Sequence, residues 1–357
     1  MTDSMIGKDN AGIEIGLYTL GDIGNDPRSG QAVSARQRLK DIVQAAVLAD
    51  EAGLDLFGVG EHHRLDYAVS APPVVLAAIA QATKRIRLTS ATTVLSTVDP
   101  VRLFEDFATL DLLSDGRAEI IAGRGAFLES FPLFGYDPGD YDALFAENME
   151  LFLKLDEADT VTWRGNHRPS LADAEISPRP IQARLPMWLG VGGSPESAIR
   201  AGEMGIGMAI AILGGDPKRF KPFVDLYYKA GAEAGHSREE LKVCITGHGY
   251  FAKTTQQALD EFYPYYANYW SYVNRQRGIN RSLTRTDFEG MTGPDSALFV
   301  GSPQQIAEKI LHQHETFGHR RYIAQIDIGG IPFRQVAQGI ELLATEVAPI
   351  VWKAIRP

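Results

Sequence analysis

The sequence predicts an eight-stranded parallel β/α barrel, a TIM barrel with insertion loops, and three observations carry that prediction. Apolar β-rich runs alternate with helical runs nearly from end to end. Nearly every strand candidate leads into a helix, the pattern of a parallel sheet. Small residues and glycines follow several of the strands, at the ends where parallel α/β sheets place their ligands. A doubly wound open sheet is the runner-up; it is weakened because the first strand leads into no glycine-rich dinucleotide fingerprint.

Residues 13–20 alternate apolar and small side chains and make the first strand. Residues 36–52 carry Leu39, Val43, Ala46 and Val47 at helical spacing, and Gly53 stops that helix. Residues 54–60 are strand two, and 72–83 a helix with proline in its first turn. Strands three and four, 86–95 and 118–122, flank a helix over 100–113, and a further helix covers 141–156. Residues 160–180 break the rhythm, with Trp163, Gly165, His167 and Pro169 marking a hairpin excursion. Strand 186–191, helix 195–204, strand 205–213, helix 216–234 and strand 241–251 restore it. A helix over 256–274 follows; residues 278–297 are polar, rich in arginine and glycine, and hold no sustained period. Helix 303–317, strand 322–328 and helix 333–347 complete the pattern, and residues 1–357 are expected to form one domain.

With 45% hydrophobic residues in 357, the chain can bury a large core. Its formal charge of −10 is made of interspersed acids and bases, which argues against a nucleic-acid or anionic-membrane surface. Cys244 is the single cysteine, so no internal disulfide can form, as suits a reducing compartment. The first dozen residues include Asp3, Lys8 and Asp9, and neither a secretory apolar region nor a membrane-length run follows. The expectation is a soluble cytoplasmic protein.

Glu61-His62-His63 ends strand two, where imidazoles can move a proton or orient a substrate. No later cluster of His, Asp or Cys completes a coordination set, so no metal is expected. Strand alternation sends adjacent histidines to opposite faces, so one of them faces the site. Gly192-Gly193-Ser194-Pro195-Glu196-Ser197 follows strand five. Ser194 suits an N-cap, Pro195 the first helical position, and the glycines let backbone approach a ligand; free amides and the helix dipole favour a phosphate. Gly301-Ser302-Pro303 repeats that grammar and reads as a structural cap. Arg124, between Gly123 and Gly125, is either a phosphate fork or a solvated loop arginine. His236 and His248 offer no specific signal, and the aromatics of 262–272 read first as core or lid packing.

Together these features resemble the bacterial luciferase-like flavin monooxygenases over residues 14–347. The order and spacing of Glu61-His62-His63, Ser90-Ala91-Thr92, Asp99-Pro100-Val101-Arg102, Leu113-Ser114-Asp115-Gly116-Arg117, Gly123-Arg124-Gly125 and the turn at 192–197 carry the resemblance. It implies FMN at the carboxyl-terminal mouth of the barrel, with the phosphate against Arg124, Ser194, Ser197 and the Gly192–Gly193 backbone. It also implies a non-prolyl cis peptide at Ala91–Thr92 beneath the isoalloxazine, and His62 as the catalytic histidine. The activity implied is oxygenation of a small organic substrate by dioxygen and reduced FMN, the latter supplied by a separate flavin reductase. Such chemistry needs a dry, covered site, and residues 278–297 are long enough to be its lid. A homodimer through the early helices is expected by the same analogy and from the apolar 72–83 helix. Two alternatives share the fold: a deazaflavin-dependent hydride transfer, and a non-enzymatic flavin-binding protein. Gly123 stands where luciferases proper carry a reactive cysteine, and Ser130 where they carry an aspartate, departures that count against light emission.

Overall fold

Eight parallel strands close on themselves in a computed structural model that describes residues 12–125, 127–276 and 278–355. They are β1 (Glu14–Thr19), β2 (Leu56–Val59), β3 (Arg87–Ser90), β4 (Ala118–Gly123), β5 (Met187–Val191), β6 (Gly207–Ala211), β7 (Val243–Phe251) and β8 (Arg321–Gln325). Each pairs with the next, and β8 returns to β1 with Glu14 opposite Arg321 and Leu17 opposite Ala324. Closure removes both sheet edges, so the open-sheet alternative is set aside. Six of the eight fall inside the stretches expected from the sequence; β4 runs one residue past its expected end, to Gly123, and β8 starts one residue earlier than expected, at Arg321.

The helices begin and end where local chemistry dictates. In α1 (Ala35–Ala52) the Ser34 hydroxyl accepts from Gln37 N, and Gly53 at φ 86° ends the helix. Helix α2 spans Pro72–Ala82. In α3 (Pro100–Leu113) the Asp99 carboxylate accepts from Val101 N and Arg102 N ahead of a proline in the first turn. Helices α4 (Tyr141–Glu157), α5 (Pro195–Glu203), α6 (Lys221–Glu233), α7 (Thr255–Gln276), α8 (Pro303–Phe317) and α9 (Phe333–Leu342) complete the outer ring.

Strand alternation divides the core in two. Most apolar side chains lie between strands and helices, whereas Tyr18, Leu56, Ala91, Ile121, Trp188, Ala209, Cys244 and Ile323 pack in a second, separate cluster contributed by seven of the strands and the β3 end. At the amino-terminal end of the strands, Arg321 pairs with Glu119 and Glu14 while its guanidinium lies 4.2 Å from the Trp188 ring. Burial would raise the Glu119 carboxyl, but Arg321 and Arg87 more than offset it and hold the pKa below the usual range.

The 160–180 excursion is an antiparallel hairpin, Thr160–Trp163 with Leu171–Glu175. The 278–297 excursion holds a helix the periodicity did not reveal, Arg285–Gly290, capped by Thr284; six residues are too few to set up a period. Lys309 of α8 anchors its far end by donating to Gly293 O at 2.7 Å and Leu298 O at 2.6 Å. Short segments at Ser130–Phe134 and Phe299–Gly301 were likewise not apparent in the sequence. The closing helix also runs further than expected: a π-helical turn at Leu343–Val347 joins α9 to a last helix, Ala348–Ile355. Among the described residues no helix is long and apolar enough to cross a membrane.

Candidate active site

The carboxyl-terminal ends of the eight strands surround a cavity of about 830 Å³. Tyr18, Ala91, Ile121, Ala209 and Ile323 of the inner cluster line it, and the strand-following loops make its rim. Expected site residues His62, Ala91, Thr92, Arg124, Gly192, Gly193 and Ser194 all line this one space.

One end is built to receive an anion. Arg124 leaves β4 between Gly123 and Gly125, donates to Ser197 Oγ at 2.9 Å, pairs with Asp142 at the start of α4, and lies 5.3 Å from the Tyr141 ring. Ser197 is itself buried and does not line the cavity; it stands behind Arg124 and orients the guanidinium. Ser194 caps α5 by accepting from Ser197 N at 3.4 Å and donates to Glu196 at 2.7 Å. Gly193 has φ 136°, a conformation side-chain-bearing residues rarely adopt, and a Cβ there would meet nothing within 4 Å. The turn therefore leaves open space over the amino terminus of α5, where backbone amides favour negative charge.

The Ala91–Thr92 peptide bond is cis, as the resemblance implied. Beyond it, Thr93 and Val94 run beside β4, opposite Ala122 and Gly123. This arrangement sets Thr92 between the backbones of β4 and β5: a Cβ on Gly123 would lie 2.6 Å from Thr92 Oγ1, and one on Gly190 3.2 Å from Thr92 Cγ2.

His62 is buried against Tyr67, with ring centroids 4.1 Å apart, and its Nδ1 lies 3.2 Å from Glu129 Oε1. His63 Nε2 lies 2.8 Å from Glu61 Oε1, and Glu61 Oε2 accepts from Val94 N. His62 and His63 both border the cavity, and His63, unlike His62, also lines a second cavity with Glu61, Thr93 and Phe134. Strand β2 ends at Val59, so the alternation that would separate the two no longer governs residues 61–63. Among the described residues no group of three or more His, Cys, Asp or Glu could hold a metal ion.

Sequence reasoning passed over the opposite wall. His248 sits on β7 with its Nδ1 3.2 Å from the Tyr266 hydroxyl, and burial lowers its pKa to about 3, so it is neutral in ordinary buffers. Its strand partner Gln325 is 1% exposed, and its Oε1 has no hydrogen-bond partner among the described residues. Tyr269, Trp270 and Val273 of α7 and Met291 of the second excursion close this side. The one signal for His248 was its place in the second half of a barrel strand, where side chains reach the mouth.

Comparison with known proteins follows the same lines. The sequence profile of the luciferase-like monooxygenases matches residues 13–320. The chain is similar to the oxygenase component of the flavin-dependent trigonelline monooxygenase of Acinetobacter baylyi, 24% identical over 88% of this chain and 90% of that protein. It is also similar to the F420-dependent glucose-6-phosphate dehydrogenase of Amycolatopsis mediterranei, 32% identical over 56% of this chain and 62% of that one. Among solved structures, the oxygenating constituent of the 3,6-diketocamphane monooxygenase of Pseudomonas putida, in complex with FMN, superposes with a TM-score of 0.75. That match has 21% identity and covers 95% of this chain and 98% of the other, which speaks to the fold. A profile match across most of the barrel, on a closed parallel barrel whose mouth gathers the motif residues, makes this chain a member of the luciferase-like monooxygenase family.

Proposed function

We propose that this protein is the oxygenase component of a two-component flavin system, taking reduced FMN from a separate reductase and using dioxygen to oxygenate a small organic substrate. The observation that carries this reading is the convergence on one cavity of Arg124, the Gly192–Gly193 turn, the Ala91–Thr92 peptide and His62. The residues fit such a cofactor. The glycine turn leaves room for a phosphate beside a cation and a helix amino terminus, and the buried Gln325 Oε1, without a hydrogen-bond partner among the described residues, offers an acceptor in the same cavity. Reduced flavin would supply the electrons that activate dioxygen. Arg124 would grip the phosphate, and His62 would hold or move a proton at Nε2. Tyr269, Trp270, Val273 and Met291 would exclude water. We place its work in the cytoplasm as part of this proposal, where a free thiol such as Cys244 stays reduced, and we read the chain as one functional unit.

The similarity to an F420-dependent dehydrogenase supports a second reading, hydride transfer by a deazaflavin in the same cavity. Anaerobic titration of the purified protein with reduced FMN and with reduced deazaflavin separates the two. Tight binding of FMN followed by substrate-dependent oxygen uptake, over a panel of aldehydes, ketones and sulfonates, is the expected result. Binding of the deazaflavin alone would overturn it, and flavin binding without turnover across the panel would favour a non-enzymatic flavin-binding protein. A homodimer is proposed through α2 and its neighbours, where Val74 is 70% exposed and lines one cavity with the exposed Leu113 and Phe134. Light scattering that shows only monomer at working concentration would rule the dimer out.

A further inference from the structure

The β4–α4 connection closes onto the β2 loop around His62. Phe127 meets the His62 ring edge-on with centroids 5.5 Å apart, the Arg64 guanidinium lies 5.1 Å from the Phe127 ring, and Phe134 meets His63 edge-on at 4.9 Å. Among the described residues of this clasp the one direct polar tie to His62 is Glu129, whose Oε1 lies 3.2 Å from His62 Nδ1. His63 is held by a different carboxylate and through the other ring nitrogen, Nε2 to Glu61. The two imidazoles are therefore gripped at opposite nitrogens, and Glu129 takes His62 at Nδ1, leaving its Nε2 with no hydrogen bond among the described residues.

The chemistry of the pair fixes its proton. Burial would raise the Glu129 carboxyl, but the hydrogen bond with His62 and the His62 and Arg64 charges outweigh it, and the group stays below the usual carboxylate range. An ionised carboxylate has no proton to donate, so the shared proton resides on His62 Nδ1. Neutral His62 then carries its lone pair on Nε2.

We propose that Glu129 is a positioning residue: it holds His62 in the Nδ1–H tautomer, so that the imidazole meets a ligand in the cavity as an acceptor at Nε2. The inference rests on the reading of His62 as the acid–base group of the site. The proton traffic balances. Nε2 takes a proton from a ligand O–H or an acidic C–H, the imidazolium is stabilised by the Glu129 carboxylate, and the same proton is later returned to a departing oxygen. Glu129 keeps its charge throughout, as a carboxylate that orients an imidazole does. The other charged and titratable groups of this surrounding, among the described residues, are Arg64 and Tyr67 on the same loop, the Glu61–His63 pair, and Tyr18, Arg124, Tyr141, Arg219, His248 and Tyr269 among the cavity-lining residues.

The test uses the full chain labelled with ¹⁵N-histidine and needs neither cofactor nor substrate. Multiple-bond ¹H–¹⁵N spectra report the tautomer, and His62 is assigned by the signal lost in His62→Gln. Wild type should show His62 protonated at Nδ1 in its neutral form. In Glu129→Gln the carboxamide can donate to Nδ1, so the neutral ring should move toward Nε2–H. Glu129→Asp should keep the wild-type tautomer. An Nε2–H tautomer in wild type overturns the proposal without any variant, and so does an unchanged tautomer in Glu129→Gln. If Glu129→Gln fails to fold, wild type and Glu129→Asp still decide. Failure of the flavin reading would appear separately, as wild-type protein that binds no flavin.

Discussion

Thr92 fills the space that any side chain at Gly123 would need, with its Oγ1 2.6 Å and its Cβ 3.0 Å from where a Cβ at 123 would stand. Its Cγ2 lies against Gly190 in the same way, so a threonine on the β3 end and glycines on β4 and β5 form one packing unit. The lack of a cysteine at 123, first noted as a departure from luciferases proper, has this steric counterpart. Thr92 has a branched, short side chain with little freedom to retreat.

Gly123→Cys should therefore lower stability by about 1–3 kcal/mol, the usual cost of overpacking a filled site. Thr92→Ala should relieve the clash, so the double variant should be more stable than Gly123→Cys alone. Urea midpoints of the four proteins in the cycle measure the coupling. Additive effects of the two changes would mean that the backbone moves aside at no cost.

Arg124 and Asp142 should act on flavin affinity with opposite signs. Arg124→Ala removes a charge-assisted contact and should cost about 1.5–3 kcal/mol, roughly ten- to a hundredfold in dissociation constant. Asp142 is largely exposed and competes with a phosphate for the guanidinium, so Asp142→Asn should tighten binding. The gain should stay within about 1 kcal/mol, as for other exposed pairs. Weaker binding in Asp142→Asn would show that the carboxylate helps to hold Arg124 in place.

His62→Ala should slow product formation by roughly 10²–10⁴-fold, the range for a general acid or base, with flavin binding nearly unchanged. His63, tied to Glu61 and through it to Val94 N, should act on structure more than on rate. Single-turnover kinetics with premixed reduced flavin compare them. A silent His62→Ala beside a crippled His63→Ala would exchange their roles.

Asp22 gives stability a pH dependence of unusual sign. It shares Arg38 with Asp327: the guanidinium lies 2.6 Å from Asp327 Oδ2 but 3.9 Å from Asp22 Oδ1. Burial raises its pKa most, Arg38 opposes that, and the Asp327 charge adds to it, giving about 6. A folded pKa above the unfolded one means that the native state binds more protons in that window. The penalty is thus present above about pH 6 and is relieved as pH falls toward the unfolded pKa. Asp22→Asn should be more stable than wild type at pH 8, by about 1–3 kcal/mol. The difference should close near pH 4, the ordinary carboxylate value. Thermal melts at the two pH values check it, and a variant less stable at pH 8 would show that the ionised triad stabilises the fold.

The sequence by itself determined the barrel's element order, because strand alternation, helical period and end signals such as Ser34, Gly53, Asp99 and Ser194 are local. Each is decided within a few residues, whatever the rest of the chain does. Motif order likewise located His62, the Ala91–Thr92 peptide, Arg124 and the 192–197 turn, since these are short strings at strand ends. Only the tertiary structure decided what meets across the mouth. Glu129 lies 67 residues from His62, and Ser197 lies 73 residues from Arg124 and behind it. His248 and Gln325 become neighbours only because β7 pairs with β8. Nor could alternation tell His62 from His63, because both lie beyond the last residue of β2. Closing a barrel brings eight strand ends to one ring irrespective of their separation in the chain, and no local pattern encodes which side chains then face one another.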